Sequence, residues 1–473
     1  MHRNPVRPSN PKQNSTMPAP GVRLTSVLPR VVQSMPYLSR RPYALEWTAT
    51  VLLTFAISFL EGGTISVFLK QAFAGHADPW KHNLAVALAG SAAELANIIS
   101  FFWITASRGR PKVRFLTLLQ TGLLLCIAGV ALVPISPGGL WASVALVILA
   151  RIFWSGIVTL RTNLWRANYP REFRARIVGH FSMAQQLTVG VLGFAFGAMM
   201  DMHTDAFRAY TPCVALIGLA GVLVYGKIRY RGETQQLHEE RRSESSGVMR
   251  PWGGLVSSWR VMRADRRFAQ FMVFMFLLGL GNLMVVPLLA ISLARRFGLD
   301  EGAFTASVLV TSTLPNVLMP LAVPIWARLL DRSHVVRFRA VHGWFFVAAQ
   351  AMFMLGMALP SMRLMYAGAV LWGIALGGGA LAWNLGHTDF APPSQNAHYM
   401  ATHVTLNGLR GLLAPFLSAG LYTLATQALG ASSAVDPAAA VLAFSVVLSG
   451  LGAAGFVWLR ISMGAAAGRL QRH

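Results

Sequence analysis

The sequence predicts an all-α polytopic membrane protein with twelve transmembrane helices in two pseudo-symmetric six-helix bundles, and three observations carry that prediction. The 473 residues are 54% hydrophobic and only 12% charged, with a mean hydropathy of +0.51, too apolar for an ordinary soluble chain. The apolar runs have the roughly 20 residues that a helix needs to cross a hydrocarbon core about 30 Å thick, not the roughly ten-residue alternating segments of a barrel. The layout also repeats at an offset of 223 residues, with Pro170 ten residues before His180 and Pro393 ten before His403.

Taken in order, residues 1–43 hold seven basic residues, eight prolines and no acid. No apolar run there is long enough for a signal peptide, and the prolines oppose the amphipathic helix of a transit peptide, so this is a disordered basic tail. Spans follow at 44–69, 84–106, 113–133, 141–162, 177–200 and 210–229, giving a first bundle over 44–229. A central loop over 230–267 leads to a second bundle over 268–460, with spans at 268–293, 303–327, 338–359, 364–387, 400–426 and 437–460. Residues 461–473 form a second tail. In the central loop Trp252, Leu255, Val256, Trp259 and Met262 fall on one helical face, with Arg260, Arg263, Arg266 and Arg267 nearby. That spacing fits a helix lying on the membrane surface, or a strap between the bundles.

A net charge of +24 raises nucleic acid as a partner, but placement argues against it. The basic residues sit in loops, and no soluble domain exists to carry such a site. Of 41 Lys and Arg, 33 fall on the side of the termini and 6 on the other, so both termini are expected in the cytoplasm. The remaining two, Arg151 and Arg410, lie inside spans. Cys126 and Cys213 sit in apolar runs and read as small hydrophobes. The 36 arginines against 5 lysines point to a GC-rich genome and so to a bacterial inner membrane.

Twelve spans, a six-plus-six repeat, cytoplasmic termini and a polar central loop resemble the major facilitator superfamily of secondary transporters. The loop between its helices 2 and 3 usually reads Gly-x-x-x-Asp-Arg-x-Gly-Arg-Arg. Here it is Ser107-Arg108-Gly109-Arg110-Pro111-Lys112, with Ala106 in place of the Asp; the second-bundle counterpart keeps Asp331-Arg332, with Ala327 and His334 replacing the glycines. Arg151 followed by Ser155 and Gly156 is similar to the helix 4 pattern. Helix 5 has Gly190, Gly193 and Gly197 but lacks the Gly-Pro of antiporter members. The resemblance implies two bundles rocking about a central cavity lined by helices 1, 4, 7 and 10, with helices 2, 5, 8 and 11 between the bundles. The loop residues Arg108, Gly109, Arg110, Asp331 and Arg332 become gating candidates.

A charge at the bilayer centre costs about 2.5 kcal/mol or more, so one that persists is paired or faces a wet cavity. Glu61, Glu94, Arg151 and Arg410 meet that test. Glu61 and Arg151 differ by roughly 3 Å in depth at 1.5 Å per residue, which allows them to pair in the first bundle. The resemblance places Glu94 and Arg410 side by side across the two bundles. Glu61 or Glu94 is thus the candidate protonation site, with structural pairing the alternative. His180 and His403 could relay protons, although a residue kept in both repeats more simply bonds to the shared scaffold. Phe59, Trp154, Asn282, Trp372, Trp383 and Asn384 fall on helices expected to face the cavity and are substrate-contact candidates. Pro287, Pro315, Pro320 and Pro324, with Gly377-Gly378-Gly379, suit bent or closely packed gating helices.

The sequence holds no phosphate loop, His-x-x-x-His pair or Cys-rich metal set, so an enzyme, a metal site and a cofactor are not expected. The expected function is proton-coupled transport of a small organic molecule by a monomer in the lipid bilayer, with the aromatic candidates leaning toward efflux of amphipathic compounds. Import or exchange of a metabolite or organic anion gripped by Arg151 or Arg410 is the alternative, and a non-transporting receptor or scaffold the third.

Overall fold

The computed structural model describes residues 36–242, 253–299, 303–391, 396–429 and 435–470, and every regular element among them is a helix. The first bundle comprises α1 (Tyr37–Leu60), α2 (Gly62–Ala72), α3 (Pro79–Gly90), α4 (Ala92–Asn97), α5 (Ser100–Ala106), α6 (Lys112–Gly129), α7 (Pro137–Asn168), α8 (Arg171–Met202) and α9 (Phe207–Tyr225). The central segment carries α10 (Glu233–Arg242) and α11 (Gly253–Ala264). The second bundle has α12 (Arg266–Phe297), α13 (Ala303–Val308), a π-helical turn at Leu309–Thr313, α14 (Leu314–Asp331), α15 (Val335–Ala358), α16 (Met362–Leu385), α17 (Asn396–Leu429) and α18 (Pro437–Leu470). Eleven helices among the described residues are long and apolar enough to cross a membrane. The twelfth span is the broken series α3, α4 and α5, which gives the twelve-helix architecture.

Several boundaries differ from the sequence reading for identifiable reasons. Helix α1 begins at Tyr37, inside the predicted tail. Pro42 cannot donate to the Leu38 carbonyl, and the Arg231 guanidinium takes that acceptor instead. Helix α18 runs on through the predicted second tail to Leu470. The expected basic loop after span 4 shrinks to Tyr169-Pro170, because α7 extends to Asn168 and Pro170 holds Tyr169 extended before α8. Arg161 and Arg166 therefore stand on α7, not in a loop. Trp252 and Pro393 lie outside the described residues, as do the side chains of Leu255, Val256 and Asp331. Helix α11 packs against α17 and leaves Trp259 exposed, with Arg263 5.7 Å from its ring centroid.

Within the first bundle α1 packs on α8 and α9, and α6 on α7. In the second, α15 packs on α16 and α18, and α12 on α18. Contact between the bundles is polarised. Helix α2 meets α12, α13 and the π turn, α3 and α4 meet α17, and α8 meets α13 and α14. By contrast α1 and α5, the parts of spans 1 and 2 nearer the termini, pack chiefly within their own bundle. Polar bonds fasten the far side: Thr64 Oγ1 donates to Ser312 Oγ at 3.3 Å, and Gln71 Nε2 to the Ala303 carbonyl at 3.1 Å. The two carboxylate oxygens of Asp201 accept from the Phe304 and Thr305 N–H groups at 2.9 and 2.8 Å. An acid from α8 thus caps the N-terminus of α13 across the bundle boundary, where the helix dipole favours negative charge.

Candidate functional site

The first bundle encloses a cavity of about 20 Å³, bordered by Glu46, Gln120, Trp154, Arg161, Gln185 and Tyr225. That is room for a water and not for a metabolite. Glu46 is 2% exposed; its carboxylate accepts from the Tyr169 hydroxyl at 2.6 Å and from the Trp165 indole N–H. Arg161 lies over two rings, 5.3 Å from Trp154 and 4.9 Å from Trp165, a placement that offsets part of the cost of burying its charge. Its Nε, the Gln120 Oε1 and the Tyr225 hydroxyl are buried without partners among the described residues. A buried acid and a part-buried guanidinium thus share a polar chamber without forming an ion pair, an arrangement that can hold a water between them. Neither residue was among the predicted charges. Glu46 and Arg161 each stand within two residues of the end of a predicted span, and α7 runs six residues past the end of span 4.

Arg151 is 7% exposed, donates to the Leu60 carbonyl at the end of α1, and lies 3.9 Å from Glu61. Glu61 occupies the break between α1 and α2, with extended backbone at φ −56° and ψ 135°. Glu94 does face the second bundle, but not Arg410. A Cβ built on Gly411 would sit 2.3 Å from the Glu94 Cβ, so glycine is what lets α4 approach α17. Arg410, one residue earlier, points about 100° away around the helix into its own bundle. There it donates to the Met275 carbonyl at 2.8 Å and to Asn407 Oδ1 at 2.7 Å. The expected ion pair across the bundles is not formed.

The histidines part company. His180 Nδ1 lies 3.3 Å from the Tyr43 hydroxyl. His403 is fully buried beside Trp383, with ring centroids 5.7 Å apart, and neither nitrogen has a partner among the described residues, contrary to the scaffold bond expected for it. Two aromatic candidates belong to the core instead of the cavity: Phe59 packs on Phe68 and Phe196, and Trp372 on Phe346 and Phe353. Asn384 turns its amide back to the Ala380 carbonyl, while the buried Asn282 Oδ1 has no partner.

The loop between α5 and α6 takes its acid from the central segment. Gly109, at φ +63°, donates its N–H to Glu240 of α10 at 2.9 Å, and Lys112 Nζ reaches the same carboxylate at 2.7 Å. Glu233 accepts from the Lys112 N–H at 3.1 Å. The central segment supplies the carboxylate that Ala106 cannot. Burial alone would push the Glu240 carboxyl up, but the bonds from Lys112, Gly109 and Gln236 outweigh it and hold the group below the usual carboxylate range. Arg110 stacks on Phe115 at 5.6 Å, and Arg108 and Arg332 are exposed.

A profile of the Major Facilitator Superfamily matches residues 51–415. The chain belongs to the major facilitator superfamily. The solved nucleoside transporter NupG aligns with a TM-score of 0.63 at 12% identity, covering 90% of this chain and 99% of that one. The xylose transporter XylE from E. coli, in a partially occluded inward-open conformation, gives 0.60 at 12%, covering 88% and 97%. A POT family transporter bound to a thioalcohol-conjugated peptide gives 0.61 at 14%, covering 89% and 97%. Identities this low establish the fold alone. No curated protein matches the sequence. This superfamily member is thus a multi-pass integral membrane protein and, by fold, a secondary transporter, in a family of transporters rather than enzymes.

Proposed function

We propose that the protein couples proton movement to the transport of a small organic molecule by alternating access, as a monomer in a bacterial inner membrane with both termini in the cytoplasm. The observation that carries this reading is the position of Glu61. It stands at a helix break, 3.9 Å from Arg151 in its own bundle and three residues from Thr64, which bonds to Ser312 of the other. A change in its charge acts on both the bundle core and the bundle contact. Glu94, against α17, is the second coupling candidate. Polarised contact between the bundles supports alternating access, since closure on one side leaves the other to open.

Efflux of amphipathic compounds rested on cavity aromatics, and Phe59 and Trp372 have left that set. Trp154 remains, but beside Arg161. The second reading, import or exchange of an organic anion, gains from the buried bases of the second bundle. In proteoliposomes, Glu61→Gln is expected to abolish uptake driven by a pH gradient while leaving folding intact. Undiminished uptake would remove Glu61 from the mechanism and pass the role to Glu94.

A further inference from the structure

The second bundle carries a set of buried bases that proton coupling through Glu61 does not use. Arg339 at the start of α15 and Arg410 on α17 are 3% and 5% exposed, and His342, His387 and His403 are 0%, 4% and 0% exposed. They form one group. Asp389 accepts from the Val335 N–H at 2.6 Å and so ties the start of α15 to the short turn at 386–389 that carries His387; that turn packs on α17, where His403 and Arg410 stand two turns apart on one face. His342 Nε2 meets the Ala375 carbonyl at 2.7 Å, leaving its Nδ1 to face Arg339 at 3.3 Å. Two glycines make the room: a Cβ on Gly279 would fall 1.6 Å from the Arg410 guanidinium, and one on Gly378 2.6 Å from His342 Nε2.

The set lacks an anion. Among the described residues no acidic side chain lies within 4.0 Å of either guanidinium. Nearby acids are engaged elsewhere: Asp389 accepts from the Val335 N–H at 2.6 Å, and Asp265 from the Phe268 N–H and the Tyr399 hydroxyl at 2.9 and 3.0 Å. Glu94 bears on Arg410 only at a distance. Arginine cannot shed its proton, and two uncompensated guanidiniums in a membrane bundle are costly. Donor capacity is left over as well, because Arg339 Nε, Arg410 Nε, His387 Nδ1 and both His403 nitrogens are buried without partners.

We propose that Arg339, His387, His403 and Arg410 form an oxyanion site, which takes the carboxylate or phosphate group of an anionic substrate. The proposal rests on the transport reading for its route and names the substrate class of that reading. Arg410 sits one residue from Gly411, where α17 meets α4. A bound anion would therefore lie beside the contact that changes when the bundles rock.

The purified full-length protein tests this directly, with succinate and inorganic phosphate as probes and Trp383, next to His403, as a fluorescent reporter. The expected result is saturable binding of at least one probe, weakened about tenfold or more in Arg339→Gln and in His403→Gln, as for a lost charge-assisted bond. The fluorescence response should vanish in Trp383→Phe while the binding measured by calorimetry persists. Absence of saturable binding, binding unchanged in both base variants, or chloride binding as tightly as either probe would overturn the proposal. In proteoliposomes the two ideas separate. Carriage of neutral compounds alone would keep the transporter and sink the oxyanion site, whereas anion binding without flux would keep the site and sink the transporter.

Discussion

At the scale of residues, space and charge make separate predictions. Arg410 occupies the hollow left by Gly279, so Gly279→Ala must move a guanidinium bonded to the Met275 carbonyl. A cost of about 1 to 3 kcal/mol is expected from overpacking, read as a lowered Tm of the purified protein; an unchanged Tm would mean the guanidinium has another resting place. Glu240 makes a pH-dependent prediction. Its folded pKa is depressed, so its contribution is complete above the ordinary value of about 4.3 and is lost as pH falls through the lower folded value. Glu240→Gln should therefore cost about 1 to 2 kcal/mol at pH 7, with the difference from wild type shrinking below about pH 4. The charges inside clear apolar runs were legible in sequence, and Glu61 and Arg151 lie 3.9 Å apart, as their similar depths allowed. Glu46, Arg161 and Arg339 were not. Each stands near a span end, where an apolar run stops before its helix does, and only packing shows that the side chain turns inward.

At the scale of elements, breaks and caps decide more than periodicity. Span 1 divides at Glu61 and span 2 after Gly90, which hydropathy cannot register because the runs stay apolar across both breaks. The sequence did place spans 2, 5, 8 and 11 between the bundles, through the resemblance, and α3, α4, α8, α13, α14 and α17 meet there. The cap from Asp201 to α13 was invisible, since it joins residues a hundred positions apart. Asp201→Ala leaves two N–H groups of α13 without their acceptor. It is expected to loosen the far side, so that a cysteine introduced at Thr305 reacts several-fold faster with a membrane-impermeant maleimide than in the wild-type background. Equal rates would show that the cap does not hold that side closed.

At the scale of the whole molecule, the twelve-helix plan was legible because a bilayer permits few alternatives: composition, run length and a repeat of 223 residues suffice. Function was legible only as far as the class, since the cavity of the first bundle and the basic group of the second are assembled from side chains on several helices. One motion would join these parts, with the bundles closing on one side as they open on the other around buried charge. Spin-label distances measure that motion without a substrate, using Arg114→Cys with Arg337→Cys on the side of the termini and His203→Cys with Arg363→Cys on the far side, all exposed positions. In Glu61→Gln the two distance distributions are expected to shift in opposite directions, one lengthening as the other shortens. Distributions that stay fixed on both sides, or lengthen together, would contradict it.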